Sequence, residues 1–371
     1  MDMDKDAQHK TDSLPLESTY VKWQREEDIP IHRGFWADLN ALELAYWKRK
    51  GCLGTYLNLA DQQDLDAYVA EIPPGEQTKA ERYMYEEAIY VLRGRGATTV
   101  WYDGMPKHTF EWQAGSLFAP PLNCWRQHFN GQGDKPARFV AVTSAPHLIN
   151  LFHNKAFIYD NTFTFHDRYQ PKDDYYSGNG VQKVFAVAAE DGMQRGRVRC
   201  VWNTNFIPSV PDFDKLTDHN RAMFAPGAQR SVDFTLAQNT LGGHINSARP
   251  GFYKKAHRHG PGAHLIVIRG TGYTLMWEEG KKRVRVDWKP DIVFSPPDMW
   301  YHNHFCTGKE PARQFALRWG GEYIGVHRGV ERNYGDQIEF EDEDPEIRKE
   351  FEDECRKNGI QMMMPAVKYR R

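Results

Sequence analysis

Short apolar runs separated by glycine and proline corners dominate the chain. Six of these runs lie at 88–92, 97–101, 116–119, 265–268, 273–277 and 292–294. They are rich in β-branched and aromatic residues, and turn residues recur at a spacing of about ten positions, as in sheets built from short strands. Many short strands with such corners are typical of a barrel or a jelly roll. The pattern therefore predicts an all-β fold, with helices confined to the extensions.

The second half of the chain repeats landmarks of the first half at a constant offset of 176 residues. The coinciding residues are Pro74-Gly75 with Pro250-Gly251, Gly94 and Gly96 with Gly270 and Gly272, Trp101 with Trp277, Trp112 with Trp288, Pro120-Pro121 with Pro296-Pro297, and His128 with His304. Most of them are glycine, proline and tryptophan, which serve at turns and in cores. So many landmarks in one register indicate a tandem duplication, and we expect two barrels of the same kind.

The repeat also divides the chain into parts. We predict a flexible N-terminal arm at 1–20, an N-terminal barrel at 21–146, a linker at 147–226, a C-terminal barrel at 227–320 and a charged tail at 321–371. The linker is expected to begin with a helix over 147–158, and the tail to hold an exposed helix over 345–357. A lid over the second barrel is one role that the linker could take.

Composition narrows the class of protein. The 371 residues are 40% hydrophobic, enough for a sizeable core, and 48 Lys and Arg against 50 Asp and Glu give a net charge of −2. This lacks the basic excess typical of nucleic-acid binding, and no apolar run reaches the length of a membrane span. The five cysteines are scattered, which argues against a disulfide framework. We therefore expect a cytoplasmic protein without nucleic-acid or membrane partners, and a homo-oligomer (dimer or tetramer) joined through its extensions.

Five of the fifteen histidines fall within a short part of the second copy, namely His257, His259, His264, His302 and His304. In an extended segment, residues i and i+2 share a face, so the first two can direct their imidazoles to one point. A histidine on a neighbouring strand could complete a three-ligand set. Neutral imidazole suits Fe, Zn, Cu and Ni, and three protein ligands leave coordination positions open. The alternative is a set of histidines that are satisfied in the core or at the surface.

The surroundings of these histidines resemble the two sequence motifs of the cupin superfamily. The first motif reads Gly251, five residues, His257-Arg-His259 and, after a strand, Gly270; in the second, the Pro296-Pro297 turn precedes His302. The resemblance covers roughly 55–145 and 230–319. With the duplication, it implies a bicupin, that is, two tandem double-stranded β-helix barrels.

One departure from the cupin pattern selects a branch of the superfamily. Ala263 stands where the family usually carries a Glu. A three-histidine set without the carboxylate resembles the gentisate and 1-hydroxy-2-naphthoate 1,2-dioxygenases. That resemblance implies one Fe(II) per chain, held by His257, His259 and His302, with Mn, Ni or Zn as alternatives. Manganese bicupins of the oxalate decarboxylase kind need the Glu and fit less well.

The function implied by this branch is ring cleavage by a non-haem Fe(II) dioxygenase. The substrate would be a hydroxyaromatic carboxylate such as gentisate, salicylate or hydroxynaphthoate, which chelates the iron beside O2. His304 shares a strand face with His302 and is the candidate acid or base, although its alignment with His128 suits a structural role equally. Candidate residues for substrate binding are Arg318, Arg313, Trp300, Tyr301, His264 and His244.

In the first copy, the same register replaces all three ligands. Glu81, Tyr83 and Arg126 stand for the three histidines, and Glu87 occupies the Glu position. Because arginine has no lone pair to give a metal, we expect the N-terminal barrel to be metal-free. A further hypothesis is that Arg126 occupies the place of the metal and pairs with Glu81 or Glu87.

Two other functions fit the same sequence. One is a redox-neutral metal-dependent enzyme (an isomerase, lyase or hydrolase) acting on a small polar substrate. The other is a binding protein without catalysis, because fold alone does not fix function. An intact triad beside a degenerate copy argues against the binding protein, and oxygen consumption separates the two kinds of enzyme.

Overall fold

The computed structural model describes residues 17–169, 174–187, 197–218, 227–319 and 336–370. Most of the predicted N-terminal arm, parts of the linker and the first residues of the tail lie outside these ranges. Of the predicted arm, only its last residues are described, and they open the first helix.

Most of the elements in the first half are strands. In chain order they are α1 (Thr19–Glu26), β1 (Ile31–Gly34), β2 (Trp36–Asp38), β3 (Ala45–Trp47), β4 (Cys52–Leu59), β5 (Asp66–Ile72), β6 (Glu87–Arg93), β7 (Arg95–Trp101), β8 (His108–Gln113), β9 (Leu117–Phe118), β10 (Trp125–Asn130), β11 (Ala137–Thr143), α2 (Ala145–Phe152) and α3 (Lys155–Tyr159). The helix expected over 147–158 is interrupted at His153, which has a left-handed backbone conformation with φ of 50°.

The second half follows the same plan and ends in a helix. Its elements are β12 (Val181–Val187), β13 (Arg197–Thr204), β14 (Phe206–Ile207), β15 (Thr217–Asp218), β16 (Gln229–Leu236), β17 (Leu241–Ala248), β18 (Ala263–Arg269), β19 (Gly272–Trp277), β20 (Val284–Trp288), β21 (Ile292–Phe294), β22 (Tyr301–Cys306), β23 (Ala312–Trp319) and α4 (Pro345–Lys357). None of the helices in the described ranges is both long and apolar enough to cross a membrane.

Each half forms a barrel from one large and one small sheet. In the first half the order is β1-β4-β5-β11-β6-β9-β14 beside β10-β7-β8, and in the second half it is β12-β13-β16-β17-β23-β18-β21-β2 beside β20-β19-β22. Two further strands lie outside these orders, because β3 pairs with β4 and β15 pairs with β16. The order from β1 to β14 corresponds strand by strand to that from β13 to β2, and β12 is an additional edge strand. The expected all-β fold of two tandem jelly-roll barrels is therefore confirmed.

The two barrels exchange short edge strands. Strand β2, which precedes the first barrel in sequence, pairs with β21 of the second, and β14 of the linker pairs with β9 of the first. Each exchanged strand covers a sheet edge that would otherwise expose unpaired backbone groups. The halves are thus joined by backbone hydrogen bonds as well as by side-chain packing.

The largest apolar cluster lies between the barrels. Strand β11 shows why: all seven of its residues are buried. Val140 and Val142 belong to the cluster shared with the second barrel, whereas Phe139 and Ala141 belong to the interior of the first. Because alternate side chains leave a strand on opposite faces, a strand buried on both faces is apolar at most positions, here at five of seven.

The C-terminal tail packs against the second barrel. The helix predicted over 345–357 is present, but the expectation that it is exposed is wrong. Ile347, Phe351 and Cys355 form a buried stripe at helical spacing. They pack in one cluster with Tyr253 and Phe305 of the barrel.

Candidate metal centre

Backbone pairing brings the two histidine segments together. The amide of His257 donates to the carbonyl of His302 at 3.1 Å, and the amide of His302 donates back at 2.9 Å. The amide of Met299 donates to the carbonyl of His259 at 3.1 Å. Directly paired residues of antiparallel segments direct their side chains to the same side. The segment before β18 and the start of β22 therefore present their imidazoles to one point.

The three rings converge as the sequence predicts. One ring nitrogen from each of His257, His259 and His302 lies within 4.8 Å of the others. Their ring centroids are 4.3 to 5.6 Å apart. Within the described ranges, this is the one group of three or more histidine, cysteine or carboxylate side chains with ligand atoms so close.

The hydrogen bonds of two rings suit a metal. Nδ1 of His257 lies 3.0 Å from the carbonyl oxygen of Lys255, and Nδ1 of His302 lies 3.0 Å from that of Trp300. A carbonyl only accepts, so each Nδ1 carries the proton and the lone pair is left on Nε2. Histidines that bind metals are oriented by such bonds to their other nitrogen. The residues present therefore fit a metal ion bound through imidazole.

Two members of the triad, His259 and His302, line a cavity inside the second barrel, and His257 is buried beside His302. The cavity has about 830 Å³ of space, counted to its open mouth. Its polar lining residues include Gln229, His244, Asn246, Lys254, His259, His302, His304, Gln314 and Arg318. Two cationic side chains are among them, and none of the described lining residues carries a carboxylate. The lining therefore contains cationic side chains and no carboxylate, although the guanidinium of Arg318 has the Asp233 carboxylate 3.9 Å away.

Strand alternation explains which residues face this cavity. Residues 244, 246 and 248 of β17 line it, as do 314, 316 and 318 of β23. Of the polar lining residues, His244 and Arg318 are among those predicted from the sequence, whereas Lys254, Asn246 and Gln314 are not. Alternate residues of a strand share a face, so Asn246 lies on the same face as His244, and Gln314 on the same face as Arg318. The sequence therefore identifies both residues once it is known that His244 and Arg318 face the cavity. No comparable signal marks Lys254, because it lies outside the strands.

Arg318 lies beside Ala263. The two residues pair across β23 and β18, at the position where the sequence resemblance leads one to expect a Glu. The guanidinium of Arg318 is 3.9 Å from the carboxylate of Asp233. Ala263 and Arg318 both line the cavity.

His304 belongs to a hydrogen-bonded trio that recurs in both barrels. Its Nδ1 is 2.9 Å from the hydroxyl of Thr274, which also accepts a bond from Trp288 Nε1 at 3.1 Å. The first barrel repeats this trio with Thr98, Trp112 and His128. Enclosure in the barrel lowers the pKa of His304 well below its ordinary range. Because the trio occurs also in the barrel without the triad, its formation does not depend on a metal centre.

Four predicted substrate residues lie outside the cavity lining. Arg313 donates to the carbonyls of three linker residues at 2.6 to 3.1 Å, so its guanidinium holds the linker instead. Trp300 packs on Phe35, and Tyr301 packs on Trp277.

His264, the fourth of these residues, is fully buried. It follows Ala263, which faces the cavity, so alternation turns His264 to the opposite face of β18. Burial lowers the pKa of this imidazole to about 4. It is therefore neutral at physiological pH.

Ion pairs fill the corresponding place in the first barrel. Arg126 on β10 is buried, with its guanidinium 3.5 Å from the carboxylate of Glu87 and stacked over Tyr83 at 3.9 Å. It also donates to the carbonyl of Cys124 at 3.0 Å. The Glu87 carboxylate accepts a further bond from Tyr68. Of the two hypothesised partners, Glu87 is the one that pairs with Arg126.

Glu81 pairs with two other cations. It accepts from Lys50 and, at 2.6 Å, from Arg49. Burial alone would raise the pKa of Glu81, but these two cations outweigh it and lower the pKa to about 2. The absence of a metal from this barrel stays a prediction.

Comparison with known proteins finds only distant structural likeness. The sequence matches no known family model and no curated protein. Among solved structures, the Lactobacillus farciminis oxalate decarboxylase–formate complex is 14% identical with a TM-score of 0.48, over 78% of this chain and 87% of that one. A Bacillus subtilis oxalate decarboxylase studied for its Mn(II) centres is 13% identical with a TM-score of 0.47, over 78% of each chain. Likeness at this level carries no argument about activity.

Proposed function

We propose that this protein is a metal-dependent enzyme that acts on a small anionic substrate in its C-terminal barrel. The observation that carries the proposal is the convergence of His257, His259 and His302, two of which line a cavity whose described lining residues carry no carboxylate. A divalent ion bound by these side chains would supply Lewis acidity and open coordination positions.

Charge favours an anionic substrate. Three neutral imidazoles leave the charge of a divalent ion uncompensated, and the cationic side chains of Lys254 and Arg318 line the same cavity. In an enclosed site such charges are weakly screened and attract anions strongly. A substrate carboxylate would therefore offset the charge that the three imidazoles leave on the ion.

Two residues have roles in this proposal besides the triad. Arg318, beside Ala263, would bind a substrate carboxylate with the two-pronged geometry of a guanidinium. His304, with Nδ1 held by Thr274, would present Nε2 to the substrate and could hold or transfer a proton there. Each role needs only groups that line the cavity.

A redox-neutral reaction, such as that of a lyase, isomerase or hydrolase, is our first candidate. Such chemistry requires a Lewis acid, an anion site and a proton carrier, and the lining supplies candidates for all three. Ring-cleaving dioxygenation is the second candidate. The observation in its favour is Ala263 in place of a carboxylate, but Trp300 and Tyr301, the expected aromatic neighbours of the substrate, lie outside the cavity lining.

The test uses protein loaded anaerobically with Mn(II) or Fe(II) and a panel of carboxylates. The panel includes oxalate, gentisate, salicylate and hydroxynaphthoate, and both substrate loss and oxygen uptake are followed. We expect turnover that is lost in His302→Ala and retained in the control His166→Ala, an exposed histidine outside both barrels. Turnover without oxygen uptake supports the first candidate, and uptake in step with loss of aromatic absorbance supports the second. A protein that binds no metal would refute both.

A further inference from the structure

The residue between two of the candidate ligands makes its own set of contacts. Arg258 separates His257 from His259, and its side chain leaves the segment on the face opposite to theirs. Its Nε lies 3.0 Å from the carboxylate of Asp336, and its Nη1 lies 2.7 Å from that of Glu279. The guanidinium also stacks over Tyr301 at 4.6 Å. One side chain therefore contacts three separate parts of the barrel.

Each partner belongs to a different part of the barrel. Glu279 is in the turn between β19 and β20, and Tyr301 directly precedes the candidate ligand His302. Asp336 begins the described part of the tail, and its carbonyl also accepts the amide of Arg258 at 2.9 Å. Arg258 therefore ties the first histidine segment to the second one and to the tail.

The tail continues along the same segment. The amide of Ile338 donates to the carbonyl of Ala256 at 2.9 Å, and Gln337 is bridged to His257. The tail therefore adds a short antiparallel partner beside the first two candidate ligands.

The first barrel contains the same arginine without the tail. Arg82, at the repeat offset from Arg258, pairs with Asp103 at 2.7 Å and stacks over Trp125 at 4.7 Å. These partners correspond in register to Glu279 and Tyr301. The difference is at Nε, because Nε of Arg82 is buried and has no hydrogen-bond partner among the described residues. Asp336 supplies that partner in the second barrel alone.

We propose that Arg258 and Asp336 are positioning residues of the metal centre. Each of the two arginines pairs with a carboxylate and stacks over an aromatic ring, an arrangement that we call the arginine clamp. The clamp is structural and common to both copies. The carboxylate of Asp336 is present only in the copy with the triad, and it fixes the backbone from which His257 and His259 project. Because metal affinity depends on ligands held in place before binding, docking of the tail would increase metal affinity. This inference rests on the metal site of the proposed function.

The test compares matched variants of the two clamps in the full chain. Arg258→Gln removes the guanidinium of the tail contact, and Asp336→Asn removes its carboxylate charge. Arg82→Gln removes the corresponding guanidinium from the barrel without the triad. The probe is Mn(II) alone, with the Kd measured by chelator competition and the geometry of the bound ion followed by its electron paramagnetic resonance spectrum. Thermal melts report the folding of each variant.

We expect Arg258→Gln and Asp336→Asn to weaken Mn(II) binding about tenfold, as changes to groups that orient metal ligands do. The resonance spectra of these two variants should change. Arg82→Gln should lose about as much thermal stability as Arg258→Gln but leave both the Kd for Mn(II) and the spectrum unaltered. If Arg258→Gln does not fold, Asp336→Asn carries the test, because it keeps both the arginine and the shape of its partner. Unchanged binding in the folded variants, or an equal loss in Arg82→Gln, would overturn the inference and leave the proposed function standing. A wild-type chain that binds no Mn(II), Fe(II) or Zn(II) would overturn the proposed function itself.

Discussion

At the scale of single residues, the same position of the fold holds a candidate metal ligand in one barrel and a buried cation in the other. His302 on β22 directs an imidazole to the candidate metal centre, and Arg126 on β10 directs a guanidinium to Glu87. A buried arginine already places a fixed positive charge there. It is stabilised only as long as its carboxylate partner remains, because an unpaired buried charge is costly.

This dependence gives the first prediction. Arg126→Met should destabilise the N-terminal barrel by about 3 to 5 kcal/mol, since it leaves the Glu87 carboxylate buried without its cation. Adding Glu87→Gln to this variant should recover a large part of the loss, because the amide is uncharged and close in shape. Chemical denaturation of the wild type, both single variants and the double variant measures the coupling. Additive effects of the two substitutions would contradict the assignment of this pair.

At the scale of elements, the tail helix completes the second barrel. The sequence of α4 is strongly charged, and its apolar residues occur only every fourth position. Phe351 is fully buried and lies 5.5 Å from Phe305 and 5.0 Å from Tyr253, measured between ring centroids. The helix is therefore a part of the barrel's packing that is contributed from the end of the chain.

Truncation of that contact should be costly. We expect Phe351→Ala to lower the free energy of unfolding of the C-terminal barrel by about 3 to 5 kcal/mol, the usual loss for a buried phenylalanine. The control is Glu352→Ala on the exposed side of the same helix, with an expected change within about 0.5 kcal/mol. Equal effects of the two substitutions in urea denaturation would show that α4 does not pack as described.

The tail also contains a group that titrates near neutrality. Burial raises the pKa of Glu343 to about 7, although Tyr253 donates a hydrogen bond to its carboxylate. Because the folded state holds this proton more tightly than the unfolded state, the contribution of Glu343 to stability is present at low pH and is lost as the pH rises through 7. Wild type should therefore lose thermal stability relative to Glu343→Gln between pH 6 and pH 8. A constant difference between the two proteins across this range would contradict the raised pKa.

At the scale of the whole molecule, the barrel without the triad supports the one that has it. Gln62, in the hairpin between β4 and β5, donates to the carbonyl of Pro296 at 3.1 Å. It also fills the space beside Gly262, where an added Cβ would lie 1.7 Å from its amide nitrogen. The exchanged strands β2 and β14 join the halves in the same way. Duplication thus produced two barrels that brace each other, of which one contains the candidate metal centre.

Metal stoichiometry tests this division of roles. We expect one divalent ion per chain by elemental analysis of metal-loaded protein, because Glu81, Tyr83 and Arg126 replace all three ligands in the first barrel. His302→Ala should retain less than about a tenth of that metal after dialysis, since loss of one of three ligands removes most of the affinity. Two ions per chain in the wild type would refute the expectation for the first barrel.

The sequence alone determined the duplicated all-β fold and the members of the triad, because both follow from local rules. Turn residues repeat in register, and the i, i+2 spacing of His257 and His259 fixes their common side on an extended segment. The packing of α4 was not predictable in this way, because a narrow apolar stripe shows its partner only when the barrel is assembled.

Only the tertiary structure decided which other residues reach the cavity. Arg318 and Arg313 lie on opposite faces of β23, so that Arg318 faces the cavity and Arg313 contacts the linker. A one-residue shift in register reverses the face of every side chain, and register is set by partners far away in sequence. The same physics separates Glu87 from Glu81 as the partner of Arg126 and brings Asp336 to Arg258. Long-range pairing of charges depends on where strands and tail meet, and local sequence does not encode that meeting.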